Sequence, residues 1–210
     1  ITIMVATNAF GMGIDKSDVR YIIHHNMPMS MESYYQEAGR AGRDGRKAVC
    51  ILLKNDDDYS LNKFIISGNY PPVKAVENLF NRVQKRKISG IPTEVILSRK
   101  TAGTNMRESA LRKVIEYGYV QIRNGVAFPT EKDRFKLTQK DIDRHKEEEL
   151  TKLDIMDHYF DEKTCLRSYI LRYFNEEPEE ERCGNCSICY RSQGKDSKLM
   201  NQLLSNIFGK

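Results

Sequence analysis

Two arginines three residues apart, Arg40 and Arg43, stand among glycines and alanines in the stretch QEAGRAGRDG, residues 36–45. Residues before them have helical spacing, so we expect both side chains to project from a glycine-lined turn after a helix ends. Guanidinium groups presented in this way suit phosphate oxygens, which they can bind through two parallel N–H donors. A solvated turn is the alternative, and these residues alone leave the two interpretations about even.

A glycine-containing loop, TNAFGMGIDKSDVR, follows the apolar run ITIMVA at the start of the chain. Gly11 and Gly13 would allow the backbone to approach a ligand closely. Glycines after a strand more often simply make a turn. The loop alone is therefore weak evidence for a binding site.

Four cysteines near the end of the chain have the spacing C-x17-C-x2-C-x2-C; they are Cys165, Cys183, Cys186 and Cys189. Two adjoining C-x2-C steps form a turn that can direct thiolates to one ion, and the distant cysteine supplies a fourth ligand. The pattern predicts structural zinc, because no position is left for water. A redox pair, an iron–sulfur cluster and chance spacing are the alternatives. The fifth cysteine, Cys50, lies in the apolar run AVCILL and is predicted to be core.

The elements that must position the arginines are predicted strands alternating with loop or helix. ITIMVA, RYIIHH and KAVCILL are the predicted strands, and Ser30 can cap a helix between the last two. This order predicts an α/β parallel sheet. Ligands of such sheets bind at the carboxyl ends of strands, where the glycine loop and the arginine pair would lie.

The dipeptide Pro71-Pro72 marks the start of a new unit. Three helices are predicted after it, over residues 73–87, 93–100 and 106–117, the last with Asn105 as a possible cap. A two-stranded hairpin with a tight turn at Asn124-Gly125 is predicted next. Three helices followed by a hairpin outline a winged helix. Over residues 138–174 we expect two more helices, joined near residues 161–163.

Charge is unevenly distributed along a chain whose net charge is +5. Residues 72–130 carry eleven Lys and Arg against four Asp and Glu, whereas residues 131–182 carry eleven against sixteen. A local balance of +7 favours a polyanionic partner such as nucleic acid, although basic helices are often only solvated. The predicted phosphate contacts are Arg86, Lys87, Arg107, Arg112 and Lys113. His24 and His25 are predicted to be structural.

The stretch VATNAFGMGIDKSDVRYIIHHNMP, followed by YYQEAGRAGRDG, resembles motifs V and VI of superfamily 2 helicases, and specifically of the RecQ family of ATP-dependent DNA helicases. The resemblance continues in DIDRHKEEEL, CLRSYILRYF and CGNCSIC, the last similar to the zinc-binding subdomain of the family. It covers residues 2 to about 66 and 138 to 190. In better-known members the zinc module precedes the winged helix, whereas here the winged-helix-like sequence comes first.

The residue patterns and the resemblance together predict a domain order. It consists of a C-terminal part of the second RecA-like lobe (1–70), a basic winged-helix-like insert (71–131), a helical zinc-binding subdomain (132–194), and a tail or further element (195–210). The resemblance also implies roles for the motif residues. Gln36, Arg40 and Arg43 would face ATP between two lobes, with Arg43 as the arginine finger. The nucleotide is expected to meet Gly13 and Asp15, and the loop that couples it to the DNA backbone is expected to include Thr7, Asn8 and Gly11.

The implied function is ATP-dependent DNA unwinding in the 3′ to 5′ direction, with Mg²⁺ and structural zinc. The expected partners are single-stranded DNA, duplex junctions and a first RecA-like lobe. The sequence has no G-x-x-x-x-G-K-[ST] loop and no acidic magnesium box, so we expect a piece of a larger protein that is inactive alone. A cytoplasmic location, nucleoid-associated if bacterial, is expected, because neither a long apolar run nor a signal peptide occurs. The alternative function is a non-enzymatic, zinc-stabilised winged-helix DNA-binding or regulatory module.

Overall fold

The structure is a computed structural model that describes residues 3–7, 16–98 and 104–194. The strands are β1 (Tyr21–His24), β2 (Val49–Leu52), β3 (Ile91–Pro92), β4 (Val120–Arg123) and β5 (Val126–Pro129). The helices are α1 (Met31–Ala38), α2 (Asp58–Gly68), α3 (Val73–Gln84), α4 (Thr93–Leu97), α5 (Thr104–Glu116), α6 (Gln139–Asp161), α7 (Leu166–Tyr173) and α8 (Ser187–Ser192). No described helix combines the length and apolar content that a membrane crossing requires.

Internal contacts divide the chain into two compact units. The described residues of Ile1–Asn55 and Asp154–Lys210 form unit 1, and Asp56–Leu153 form unit 2. Helix α2 belongs to unit 2 because it packs on α5, where Ser109 Oγ donates a hydrogen bond of 2.5 Å to the Gly68 carbonyl. The units are defined by contacts alone, so the predicted domain boundaries stay predictions.

Unit 1 contains a two-stranded parallel sheet in which Tyr21 pairs with Val49 and His24 with Leu52. The predicted parallel pairing of these two strands is therefore confirmed. Ser30 caps α1 as predicted, since its Oγ accepts a hydrogen bond of 3.2 Å from the Ser33 N–H.

The predicted first strand, ITIMVA, is wrong for its described part. Residues 3–7 are exposed and form no ladder with β1 or β2, and Val5 is 95 % exposed. A strand is stable only when a neighbour satisfies its backbone groups. The apolar composition of ITIMVA favoured a strand, but composition does not supply the neighbouring strand that a ladder needs.

Unit 2 packs α3, α4 and α5 against a three-stranded antiparallel sheet with the order β3-β5-β4. Its core includes Val76, Phe80, Val114, Val120 and Ala127, all nearly inaccessible to solvent. The hairpin is confirmed: Asn124 and Gly125 form its turn with φ values of 49° and 75°. Positive φ at both central residues is the geometry that an Asn-Gly turn favours.

Helix ends differ in places from the prediction. Helix α3 ends at Gln84, three residues before the predicted end at residue 87. Asn105 lies inside α5, where its carbonyl accepts a hydrogen bond of 2.8 Å from Ser109 Oγ, so it is not the cap. The two helices α6 and α7 and the break between them are confirmed.

Candidate functional site

The predicted glycine-lined turn begins where α1 ends, and we call residues 39–46 the arginine turn. Gly39 terminates the helix and donates its N–H to the Tyr35 carbonyl at 2.9 Å. Arg43 is exposed, Arg40 is half-buried, and Gln36 is exposed on the last turn of α1. One short segment thus brings these three predicted nucleotide-facing residues together.

The backbone on either side of Arg43 is tied to the segment that precedes β1. The Gly42 N–H donates to the Val19 carbonyl at 2.9 Å, and the Asp44 N–H donates to the Ser17 carbonyl at 3.2 Å. Gly42 has a φ of +66°, and a Cβ at this position would lie 2.7 Å from the Arg46 carbonyl oxygen. Only glycine fits there without displacing backbone.

An ion pair closes the same turn. Arg20 Nη2 lies 2.5 Å from Asp44 Oδ2, and Arg20 Nη1 donates to the Lys47 carbonyl at 3.3 Å. The hydrogen bond from Arg20 holds the pKa of Asp44 below its ordinary value, and the Arg46 N–H adds to the effect. Sequence reasoning missed this pair, because Arg20 and Asp44 lie 24 residues apart. A signal was present, since Arg20 lies within the first helicase-like motif and Asp44 within the second.

A buried histidine lies beneath α1. His24 Nε2 is 2.8 Å from Glu37 Oε2, and the His24 ring stands 5.2 Å from the Tyr34 ring. Only 8 % of His24 is exposed. This position, between the end of β1 and the end of α1, fits the structural role that the sequence predicts.

The four predicted metal ligands meet around one point. The Sγ atoms of Cys165, Cys183, Cys186 and Cys189 all lie within 4.8 Å of one another, and those of Cys165 and Cys186 are 3.9 Å apart. Zinc–sulfur bonds of about 2.3 Å in a tetrahedron would separate the sulfurs by about 3.8 Å. All five cysteines are free thiols, so no disulfide competes for these atoms. The donor set and its spacing fit a zinc ion.

Burial and hydrogen bonding shift the pKa values of the cluster thiols in different directions. Burial raises the pKa of the Cys165 thiol, but hydrogen bonds from Cys183 N–H and from Ser168 outweigh it and lower the pKa to about 6. Burial raises the pKa of Cys183 and of Cys189. A divalent ion bound by the four sulfurs would favour the thiolate form of each cysteine, because cysteine binds a metal only when it is deprotonated.

Most of the predicted site residues in the glycine loop lie outside the part of the chain that the structure describes. Thr7 is exposed, and Asn8, Gly11, Gly13 and Asp15 lie outside the described residues.

The predicted phosphate contacts in unit 2 divide into two groups. Arg86 and Lys87 are exposed just after α3, whereas Arg107 on α5 is half-buried. Arg112 donates to Asn69 Oδ1 at 2.9 Å.

Lys113 requires a correction, because it is buried and not at the surface. It is 7 % exposed, its Nζ lies 2.9 Å from Glu116 Oε2, and it stands 4.3 Å from the centre of the Tyr70 ring. Helical spacing put Lys113 beside Arg112, but the packing of α5 turns its side chain inward. A contact between Lys113 and DNA does not fit this position.

Comparisons with known proteins match two regions of the chain, one containing most of the arginine turn and one containing the four cysteines. Residues 1–45 match the helicase conserved C-terminal domain, and residues 130–190 match the RecQ zinc-binding domain. The first match defines the class, which is proteins with the C-terminal, RecA-like lobe of helicases. The second, together with the relatives below, narrows the similarity to the RecQ family.

The relatives are named DNA helicases. The chain is 30 % identical over 211 residues to the probable ATP-dependent DNA helicase RecS of Bacillus subtilis, covering 95 % of the chain and 39 % of RecS. It is 49 % identical over 79 residues to the ATP-dependent DNA helicase RecQ of the same organism, covering 38 % of the chain and 13 % of that protein. The chain thus spans well under half the length of these relatives.

Proposed function

We propose that the protein containing this chain is an ATP-dependent DNA helicase of the RecQ type. In this proposal the chain supplies part of the second RecA-like lobe, a winged-helix-like unit and a zinc-stabilised helical module. The observation that carries the proposal is the arginine turn, in which an exposed guanidinium stands on backbone anchored at both neighbouring residues. Two of the named relatives, RecS and RecQ, are described as ATP-dependent DNA helicases, which supports the same activity.

Arg43 is proposed as the arginine finger, with Arg40 and Gln36 beside it. ATP with Mg²⁺, when bound between two lobes, supplies the phosphoryl group that is transferred to water. The contribution of the chain is positive charge held in place before the reaction, which stabilises the negative charge that develops on the phosphate oxygens. Because the sequence has no phosphate-binding loop, we propose that the chain alone does not hydrolyse ATP.

Residues of the glycine loop complete the proposal. Gly13 and Asp15 are proposed to contact the nucleotide, and Thr7, Asn8 and Gly11 to contact the DNA backbone. Contact with phosphates suits a motor that must move along any sequence. In unit 2, whose helices and sheet fit a winged helix, DNA contact is proposed for exposed cations such as Arg86 and Lys87.

The test uses the full-length protein that contains this chain. Arg43→Ala should lower DNA-stimulated ATP hydrolysis by about 10³-fold and leave nucleotide binding in place, because a finger acts on the transition state. Arg46→Ala is the matched control, since Arg46 is an exposed arginine of the same turn. Equal turnover in the two variants would refute the assignment of Arg43. A full-length protein without ATP hydrolysis would favour the non-enzymatic alternative.

A further inference from the structure

We propose that the turn joining α3 to β3, residues 85–90, is a DNA-binding tip that grips phosphates with cations and inserts Ile88 against an exposed base. This inference rests on the proposed function, because it takes DNA as the partner. It assigns the contact to a different element from α5, which the sequence favoured equally.

The tip carries one apolar side chain, Ile88, that does not pack into a hydrophobic core. Ile88 is 98 % exposed, the most exposed large apolar residue described. Single exposed apolar residues are common on protein surfaces, so exposure alone decides nothing. What distinguishes Ile88 is that it stands near the apex of an ordered turn with three consecutive cations directly before it.

The turn is held in shape by its backbone and by the sheet beneath it. The Arg86 N–H donates to the Val83 carbonyl at 2.9 Å, and the Gly90 N–H donates to the Arg86 carbonyl at 2.8 Å. Gly90 has a φ of +63°, and a Cβ there would lie 2.5 Å from Val126 Cγ1 on β5. Gly90 therefore holds the end of the turn close against β5.

The three cations of the tip are available to a partner. Lys85, Arg86 and Lys87 are exposed, and no ion pair or side-chain hydrogen bond to another described residue engages them. The α5 cations are in the opposite situation, since Arg112 bonds to Asn69 and Lys113 is buried over Tyr70. Of the five predicted phosphate contacts, the exposed ones that engage no other described residue are therefore Arg86 and Lys87, both in the tip.

DNA satisfies both parts of this surface. Phosphates spaced along a strand neutralise neighbouring cations, and their binding releases counterions. Apolar side chains such as isoleucine are used by other DNA-binding proteins as wedges that enter between bases. A purely acidic protein surface would match the cations but would leave Ile88 in water. The combination points to DNA with at least one unstacked or terminal base.

The test measures binding of the chain to a forked DNA that carries 2-aminopurine at the first unpaired base. Fluorescence anisotropy across salt concentrations gives the affinity and its salt dependence, and 2-aminopurine emission reports unstacking. The variants are the triple change Lys85→Gln, Arg86→Gln, Lys87→Gln and the single change Ile88→Ser. Matched controls in the same unit are Lys140→Gln, an exposed cation, and Leu61→Ser, an apolar residue that is 52 % exposed.

The triple variant should lower the slope of log affinity against log salt by about 2, since each lost contact with a single strand removes about 0.7. Ile88→Ser should keep the slope, weaken binding about fivefold and lose the rise in 2-aminopurine emission, because partial burial of one isoleucine is lost. Both controls should behave like the unchanged chain. Circular dichroism should confirm that every variant is folded, as expected for exposed side chains.

Two results would overturn the inference while leaving DNA binding intact. An unchanged slope in the triple variant, with a reduced slope in Arg107→Gln, Arg112→Gln, would transfer the contact to α5. Unchanged 2-aminopurine emission in Ile88→Ser would remove the wedge. Failure of the unchanged chain to bind the fork at low salt would instead count against the DNA contact in the proposed function, and against the tip with it.

Discussion

Gly42→Ala should destabilise unit 1 about twice as much as the same change three residues later. An alanine at a φ of +66° costs about 1–2 kcal/mol because the left-handed conformation is unfavourable for residues with a Cβ. The new Cβ would also lie 2.7 Å from the Arg46 carbonyl oxygen and 3.1 Å from Ala48 Cβ. Relieving a contact with backbone should add about 1–2 kcal/mol. The expected loss in the free energy of unfolding is therefore about 2–4 kcal/mol.

Gly45→Ala provides the control for this prediction. Its φ of +79° carries a similar conformational cost, but nothing lies within 4 Å of the added Cβ. Urea unfolding followed by circular dichroism measures both variants, and an unchanged denaturant dependence would show that the unfolded state is comparable. Equal losses for Gly42→Ala and Gly45→Ala would refute the close packing of Gly42 against the Arg46 carbonyl and Ala48.

Two other predictions concern the charges of unit 1. Metal analysis of the purified chain should find zinc, and Cys183→Ser should lose both the zinc and part of the helical circular dichroism signal. Cys50→Ser should retain the zinc, because Cys50 lies outside the four-sulfur cluster. Zinc retained in Cys183→Ser would contradict the site. An NMR titration should place the pKa of Asp44 below its ordinary value, and Arg20→Gln should raise it. A lowered folded-state pKa gives stability that is complete above the unfolded pKa and is lost as the pH falls through the folded one. Arg20→Gln should therefore weaken acid sensitivity in that window, and an Asp44 pKa that does not move would refute the pairing.

The parts of the molecule that depend on local chemistry were predictable from the sequence. The Asn124-Gly125 turn, the Ser30 cap and the spacing of the four cysteines each depend on a few neighbouring residues, and the structure has all three. The ionisable partner of the arginine turn was not predictable in this way. Arg20 meets Asp44 only because β1 and the turn after α1 are brought together by the parallel sheet.

The predicted DNA contact of Lys113 on α5 was wrong for a related reason. Helical spacing places Arg112 and Lys113 next to each other, and one residue of rotation, about 100°, separates a surface position from a core position. Which of the two turns inward is decided by tertiary packing: Lys113 stands over the Tyr70 ring of another segment, whereas its ion pair with Glu116 is local to α5. Charge counting identified the basic unit correctly but could not identify its free face.

A line of aromatic side chains connects the cysteine cluster to the arginine turn within unit 1. Tyr169 lies on α7, which begins directly after Cys165, and its ring stands 5.6 Å from that of Tyr159. The Tyr159 ring is in turn 5.4 Å from that of Tyr34 on α1, the helix whose end leads into the arginine turn.

Both rings are buried, and burial raises the pKa of Tyr34 and of Tyr159 above the ordinary tyrosine value, at which the side chain is already neutral at physiological pH. A metal that holds Cys165 would therefore fix the start of α7, and α7 would support α1 through this packing. Zinc bound to four cysteines has no free position for substrate, yet it would still contribute to the geometry of Arg43. In that case the zinc ion would help to hold the arginine turn in position, in addition to stabilising its own module.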